Sequence, residues 1–380
     1  MIGENKSNIA ISDVDIVRDF ETSRKRKVVF MTILVVSCAV ASIWALGVGG
    51  IMVPFMDVVR SLFHNLLPGV VDPASESYYP VIVTSYRAPR VIMGLLTGSC
   101  LAVAGASMQS ILKNPLADPF TLGLSSAASC GAGLAIAFGP ALLGTTYYMS
   151  ASIWGQTITV GWLFTVVMAF GFGLISTFIL LSTIRGKVAS KSTMILTGVV
   201  IGYLFSAVLS YLKYVSDEGT LKEITDWLLG GMWGASWSSV MIVLPIAVIG
   251  IVLLESYAFE LNTLSCGDDV AKNLGVDVKK LRVKVLLVCT MISSACIAFT
   301  GIIGFVGLMA PHIVRMIIGN DNRYLIPISA LLGSLILVCC DALARVIVAP
   351  DDLPVGIIMY VIGGLFFFFL IKRMRGGYEL

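Results

Sequence analysis

The chain has 380 residues, of which 57% are hydrophobic and only 13% charged, with a mean hydropathy of +0.92; a soluble globule carries roughly 25% charged residues. A formal charge of +3 is too small to imply nucleic acid, and the eight cysteines lie scattered in apolar runs without CxxC or Cys/His spacing, so neither a disulfide framework nor a metal site is expected. Apolar stretches of about 20 residues, enough to cross a hydrocarbon core of about 30 Å, recur along the chain. An outer-membrane barrel would instead show short alternating strands. The expected fold class is therefore an all-α polytopic membrane protein.

A polar segment, residues 1–27, precedes the first apolar run and ends in Arg24-Lys25-Arg26-Lys27. It is too long and polar for a cleavable signal and reads as a cytoplasmic tail that anchors the first span. The transmembrane domain is expected over 28–376, with a cytoplasmic end at 377–380. About ten spans are predicted, at roughly 28–50, 88–108, 121–139, 160–183, 194–213, 239–256, 283–300, 301–318, 325–346 and 355–372. The basic loops at Lys113, Arg185–Lys191 and Lys372–Arg375 fall inside, which puts both termini in the cytoplasm. Against that bias, Arg87 and Arg90 fall outside.

The second span is dotted with Gly94, Gly98, Ala102, Gly105 and Ala106, small residues that let helices approach closely. It runs into Asn114-Pro115-Leu116-Ala117-Asp118-Pro119, where two prolines remove backbone donors and Asn114 and Asp118 can satisfy freed backbone groups. Two readings stand: a kink lining a pathway, or a buried break holding spans two and three together. Residues 221–237 carry Trp227, Trp233 and Trp237, in the manner of an interfacial aromatic belt or a re-entrant lid.

Between spans six and seven, Ser265 and Asp268 read as a capping box, Asp269 adds a second N-terminal acid, and Gly275 is a stop. Val270, Ala271 and Leu274 share a face. A lipid-surface helix would begin with basic residues, so this acidic-started helix suits a protein partner. Further on, glycines 301, 304 and 307 form a small face, Pro311 interrupts the helix, and His312 reads as packed and hydrogen-bonded rather than as a relay or ligand. Asp341 and Arg345 stand at i, i+4 near the outer end of span nine, where Arg345 joins Arg87 and Arg90 as a third exposed cation able to dock carboxylates.

No G-x-x-x-x-G-K-[ST] loop is present, so the chain is not expected to hydrolyse ATP, and neither H-E-x-x-H nor G-x-S-x-G marks an intramembrane hydrolase. An ion-coupled carrier working through Asp118 and Asp341 is the alternative from another class; an enzyme using His312 is a third.

The run RAPR, the small-residue span ending at Gln109 and KNPLADPFTLGLSSAA resemble the FecCD-type ABC permeases for iron–siderophores, haem and cobalamin. Residues 264–276, GIIGFVGLMAPHIVRMIIGNDNR, DALAR, LPVGI and GGLFFFFLIKR agree in order. Two departures are a serine at 125 or 126 where the family often has glycine, and Asp321-Asn322 where Asp-His is commoner. The resemblance implies a homodimer with the path at its interface, two separate ATP-binding subunits carrying ATP and Mg, and an extracytoplasmic solute-binding protein. It implies no cofactor on this chain. It places binding-protein docking at Arg87, Arg90 and Arg345. ATPase coupling falls at Ser265, Gly267, Asp268, Asp269, Val270, Ala271, Leu274 and Gly275. Ser190, Ser192 and Thr193 contribute a cytoplasmic gate.

Overall fold

The computed structural model describes residues 13–64, 70–153, 156–183 and 191–374. Helix α1 (Asp13–Gly47) already begins within the polar amino-terminal segment and carries the basic cluster Arg24–Lys27 on a helix continuous with the first span. The end of the bundle bearing that cluster is the near end here, the opposite one the far end. At the far end a short amphipathic helix α2 (Phe55–Phe63) precedes α3 (Tyr79–Val81), which passes through a π-helical turn, Ile82–Arg87, into α4 (Ala88–Leu112). Helix α5 (Leu124–Leu143) leads to an antiparallel hairpin, β1 (Ser150–Ile153) with β2 (Gln156–Thr159), in which Ser150 pairs with Thr159.

Then follow α6 (Val160–Thr183), α7 (Lys191–Val215), α8 (Glu218–Leu229), α9 (Trp237–Ser256), α10 (Ala258–Ser265) and α11 (Asp268–Asn273). The chain closes with α12 (Val278–Thr300), α13 (Val306–Ile318), α14 (Asn322–Ile347) and α15 (Val355–Met374).

Among the described residues, nine helical stretches are long and apolar enough to cross a membrane. Nine of the ten expected spans match them. The exception is 301–318, where only the 13 residues of α13 are helical. At 1.5 Å per residue that helix covers about 20 Å, short of a bilayer core. Residues 301–304 are non-helical, and the reason lies in their neighbours. A Cβ at Gly301 would sit 2.2 Å from the Trp227 carbonyl oxygen, and one at Gly230 would sit 2.0 Å from that of Ile302. This non-helical segment is thus wedged between the end of α8 and the start of α15. Gly231 N–H donates to the Thr300 carbonyl at 2.8 Å, and Gly356 N–H to that of Gly230 at 3.1 Å. Irregular backbone survives in a membrane protein where it is buried against protein in this way. Pro311, expected to break the helix, lies inside α13 instead; the break belongs to the glycines before it.

Helix α4 is the axis of the fold: 78% of its apolar window is buried, against 22% for α1 and α7 and 28% for α15. Its small residues explain this. A Cβ at Gly98 would stand 2.4 Å from the Gly333 carbonyl oxygen of α14, and one at Gly105 would stand 1.8 Å from that of Gly307 in α13. Backbone meets backbone there, and close packing replaces the hydrophobic effect as the source of helix affinity in lipid.

Candidate functional site

At the far end the π-helical turn before α4, α4 itself and α14 bring together the three arginines singled out from the sequence. They are not exposed cations: Arg87 is 7% and Arg345 3% accessible. The loop leaving α1 closes over them. Arg87 Nη1 donates to the Leu46 carbonyl at 2.9 Å and Nη2 to that of Ile51; Arg345 Nη1 donates to the Val48 carbonyl at 2.9 Å. Carbonyls at a helix C-terminus lack intrahelical partners and carry partial negative charge, so guanidinium groups suit them. Arg90 Nη2 lies 2.9 Å from Asp341 Oδ1, and its Nη1 pairs with Asp352 Oδ2. The expected Asp341–Arg345 pair exists at 3.3 Å, but Arg90 makes the closer contact. Sequence reasoning missed Asp352, whose only signal is an acidic pair between two prolines.

Three guanidinium groups face two carboxylates in this cluster, leaving one positive charge in excess. Arg345 Nη2 is buried with no hydrogen-bond partner. A carboxylate clamped between guanidinium groups is a poor carrier of protons or ions, which weakens the ion-coupled alternative at Asp341.

At the near end, α11 stands out from the bundle. Its N-cap is Gly267, with φ +134°, and not Ser265, which ends α10 and donates to the Asn262 carbonyl at 2.6 Å. A tight α10–α11 turn needs that glycine backbone, so the expected capping box does not form. Gly275 does stop the helix in a left-handed conformation, with Val276 N–H reaching back to the Ala271 carbonyl at 2.9 Å. Asp268 anchors the element: Oδ2 is 2.8 Å from Arg282 Nη2 on α12, and Oδ1 is 3.6 Å from Lys113 Nζ at the end of α4. Asp269 pairs with Lys272 on the surface at 3.0 Å. The apolar face divides. Ala271 is fully buried, whereas Val270 and Leu274 are 44% and 69% exposed and project away from the bundle.

The NPLADP segment is a turn between α4 and α5 rather than a kink inside a span. Lys113, in a left-handed conformation, ends α4, and Asn114 Oδ1 accepts from Leu116 N–H at 3.0 Å. Asp118 is buried, and its Oδ1 accepts from Thr121 N–H at 2.8 Å while its own N–H donates to Thr121 Oγ1 at 3.1 Å. Burial pushes the Asp118 carboxyl up to about 6, against the hydrogen bonds from Thr121 and Phe120 that favour the ionised form. Pro119 starts the 3₁₀ turn Phe120–Leu122, and Gly123 and Leu122 pack against Gly198 of α7. Of the proposed gate residues, Ser192 and Thr193 are exposed at the start of α7, and Ser190 lies outside the described residues.

His312 is buried and packs edge-on against Phe366, with ring centroids 6.0 Å apart; its Nε2 has no hydrogen-bond partner. The expected packing is present; the hydrogen bond is missing at that nitrogen. No group of three or more metal-ligating side chains occurs among the described residues. The tryptophans gather at the far end. Trp227 and Trp233, with Trp162, Glu223 and Asp226, line a cavity of about 500 Å³, and Trp237 Nε1 donates to the Thr84 carbonyl at 3.0 Å.

A helical bundle with a charged cluster at one end, a protruding anchored helix at the other and a broken crossing between is the build of a transmembrane ABC permease. Residues 34–373 match the FecCD transport family, and the chain belongs to it. It is 34% identical over 348 residues to the Fe(3+) dicitrate transport system permease protein FecD of Escherichia coli, covering 92% of this chain and 98% of that one. It is 36% identical over 296 residues to the hemin transport system permease HmuU of Yersinia pestis, covering 76% and 82%. The cobalamin import system permease BtuC of Halobacterium salinarum is 36% identical over 294 residues, covering 77% and 73%. A solved chain of a metal-chelate type ABC transporter, in an inward-facing conformation, superposes with a TM-score of 0.73 at 26% identity, covering 91% of this chain and 99% of that one.

Proposed function

We propose that this permease imports an iron(III)–siderophore or a related bulky metal chelate, such as haem or a corrinoid, by alternating access at the interface of a homodimer. ATP is hydrolysed on two partner subunits at the near end, which is then cytoplasmic, as are both termini. A solute-binding protein delivers the cargo at the far end. The observation that carries this reading is α11, braced by Asp268 against α4 and α12 while Val270 and Leu274 stay open for an ATPase groove. The far-end cluster supports it as well. An acidic side chain from a binding protein would neutralise the excess charge and satisfy Arg345 Nη2, once the Leu46–Ile51 loop yields.

The gate at Ser190, Ser192 and Thr193 would lie where α7 starts. That position makes α7, with its exposed apolar stripe through Val200, Leu204 and Tyr211, a wall of the path. The substrate class is supported by relatives whose names cover iron citrate, haemin and cobalamin. The test is uptake of ferric siderophore, haemin and cobalamin into proteoliposomes holding the permease, its ATPase and its binding protein. Uptake of one of them should require ATP and survive collapse of the proton gradient. Uptake driven by the gradient without ATP would refute the reading.

A further inference from the structure

Helix α10 enters the coupling element directly, and one residue near its end has every polar atom committed elsewhere. Asn262 Nδ2 donates to Asp321 Oδ1 at 2.7 Å, while its Oδ1 accepts from Asn322 N–H at 2.7 Å and from Asn322 Nδ2 at 2.9 Å. Asp321 caps α14. Asn322, 2% exposed, accepts at its Oδ1 from Ser110 Oγ of α4 at 2.8 Å. Burial pushes the Asp321 carboxyl up, but hydrogen bonds from Arg323 and Asn262 outweigh it and hold the group below the usual carboxylate range, so it is ionised. Three elements, α10, α14 and α4, are thereby joined by directional bonds within the last turn of α10, just before the chain enters α11.

Two of those elements continue to the other end. From Asn322 to Asp341, α14 rises about 29 Å at 1.5 Å per residue, and it ends in the Arg90–Asp341–Arg345 cluster. Helix α4 runs beside it, from Ser110 to Arg90, with the Gly98 and Gly333 backbones in contact along the way. At that crossing backbone meets backbone, and above it the Ser334 hydroxyl donates to the Leu95 carbonyl at 2.7 Å, so the two helices are close-packed and transmit displacement as a unit. The apolar contacts of α10, made by Leu261 and Leu264, can slide; paired amide bonds to a helix cap cannot do so without breaking.

We propose that Asn262, Asp321 and Asn322 form a clasp that locks the coupling helix to the α4/α14 pair, so that motion of α11 under an ATPase reaches the far-end arginine–aspartate cluster. The three are positioning residues and touch neither ATP nor cargo. The inference rests on the ABC-importer reading. It adds the route by which the two ends communicate; by linkage, binding-protein docking and ATPase closure then change each other's affinity by the same factor.

The test uses the assembled complex of permease, ATPase and binding protein in proteoliposomes, with uptake and ATP hydrolysis measured together. In N262D a carboxylate replaces the amide that donates to Asp321, and two acids then face each other. Cargo moved per ATP hydrolysed should fall about tenfold, the factor expected for losing a hydrogen bond to a charged group, while hydrolysis continues. N262D/D321N reverses donor and acceptor across the same contact and should return the ratio to within about threefold of wild type.

A merely structural role predicts a different pattern: a lower unfolding midpoint and weaker ATPase assembly at an unchanged ratio. That pattern, or failure of the double variant to restore the ratio, overturns the clasp. Should N262D not assemble, N262A removes the amide without adding charge and is read in the same way. A wild-type complex without ATP-driven uptake would instead overturn the importer reading itself; wild-type uptake with an unchanged N262D ratio overturns the clasp alone.

Discussion

Replacing Asp118 with asparagine should stabilise the protein at neutral pH and leave it almost unchanged in acid. In the α4–α5 turn Asp118 is 2% exposed, and its carboxyl is raised from 3.8 to about 6. Each pKa unit corresponds to about 1.36 kcal/mol, so keeping this side chain ionised at pH 7.5 costs the fold about 3 kcal/mol. The sign follows from linkage. A folded pKa above the unfolded one gives a contribution fully present below about pH 3.8 and lost as pH rises through about 6. Asparagine keeps the carbonyl that accepts from Thr121 N–H, at 2.8 Å in the wild type, and does not ionise.

With an unfolding entropy of about 2.1 cal/mol/K per residue, a gain of about 3 kcal/mol corresponds to a midpoint rise of about 4 °C. The assay is thermal unfolding of wild type and Asp118→Asn in one detergent at pH 4.5 and 7.5. The gap between them should be several degrees at pH 7.5 and only about a third of that at pH 4.5, where the unfolded carboxyl is already ionised and the folded one is not. Asp118→Ala, which loses the acceptor, should fall below Asp118→Asn at both pH values. A pH-independent gap, or an asparagine variant less stable at pH 7.5, would refute the reasoning. The same variant bears on mechanism: ATP-driven uptake should persist in Asp118→Asn, since the carboxyl is a turn-former and not an ion carrier.

Other substitutions probe the packing and the two ends. Gly105→Ala forces a Cβ to 1.8 Å from the Gly307 carbonyl and should cost about 3 kcal/mol or more, read as a lower unfolding midpoint; Gly171→Ala, with nothing within 4 Å of the new carbon, should be neutral or slightly stabilising. Arg90→Ala leaves Asp352 without its ion-pair partner and Asp341 with Arg345 alone, and should destabilise by about 3 kcal/mol in the same assay, whereas an exposed docking cation would show almost no change. Leu274→Asp, at a position 69% exposed, should leave the unfolding midpoint within about 1 °C of wild type and abolish co-purification or coupling with the ATPase. Retained coupling would remove α11 from the ATPase contact.

Hydrophobic stretches, the basic near-end residues Arg24–Lys27 and Lys113, the left-handed stop at Gly275 and the protruding segment after α10 were all legible along the chain, because each depends on residues within a turn or a bilayer thickness of one another. Family membership was legible for the same reason: its motifs are local runs. What the tertiary structure alone decided are the encounters between distant segments. Arg87 and Arg345 look like outer cations until the carbonyls of Leu46 at the end of α1 and of Val48 and Ile51 in the loop after it close over them. Asp352 becomes a partner only when its loop meets α4. The eighth crossing breaks at Gly301–Gly304 and not at Pro311, since the ends of α8 and α15 occupy the space a helix would need. Asn262 gives no signal beside its neighbours, yet it joins α10 to α14 across 59 residues. Local patterning sets which segments are helices; the unpaired polar groups at helix ends, which must find partners wherever the packing brings them, set which side chains work together.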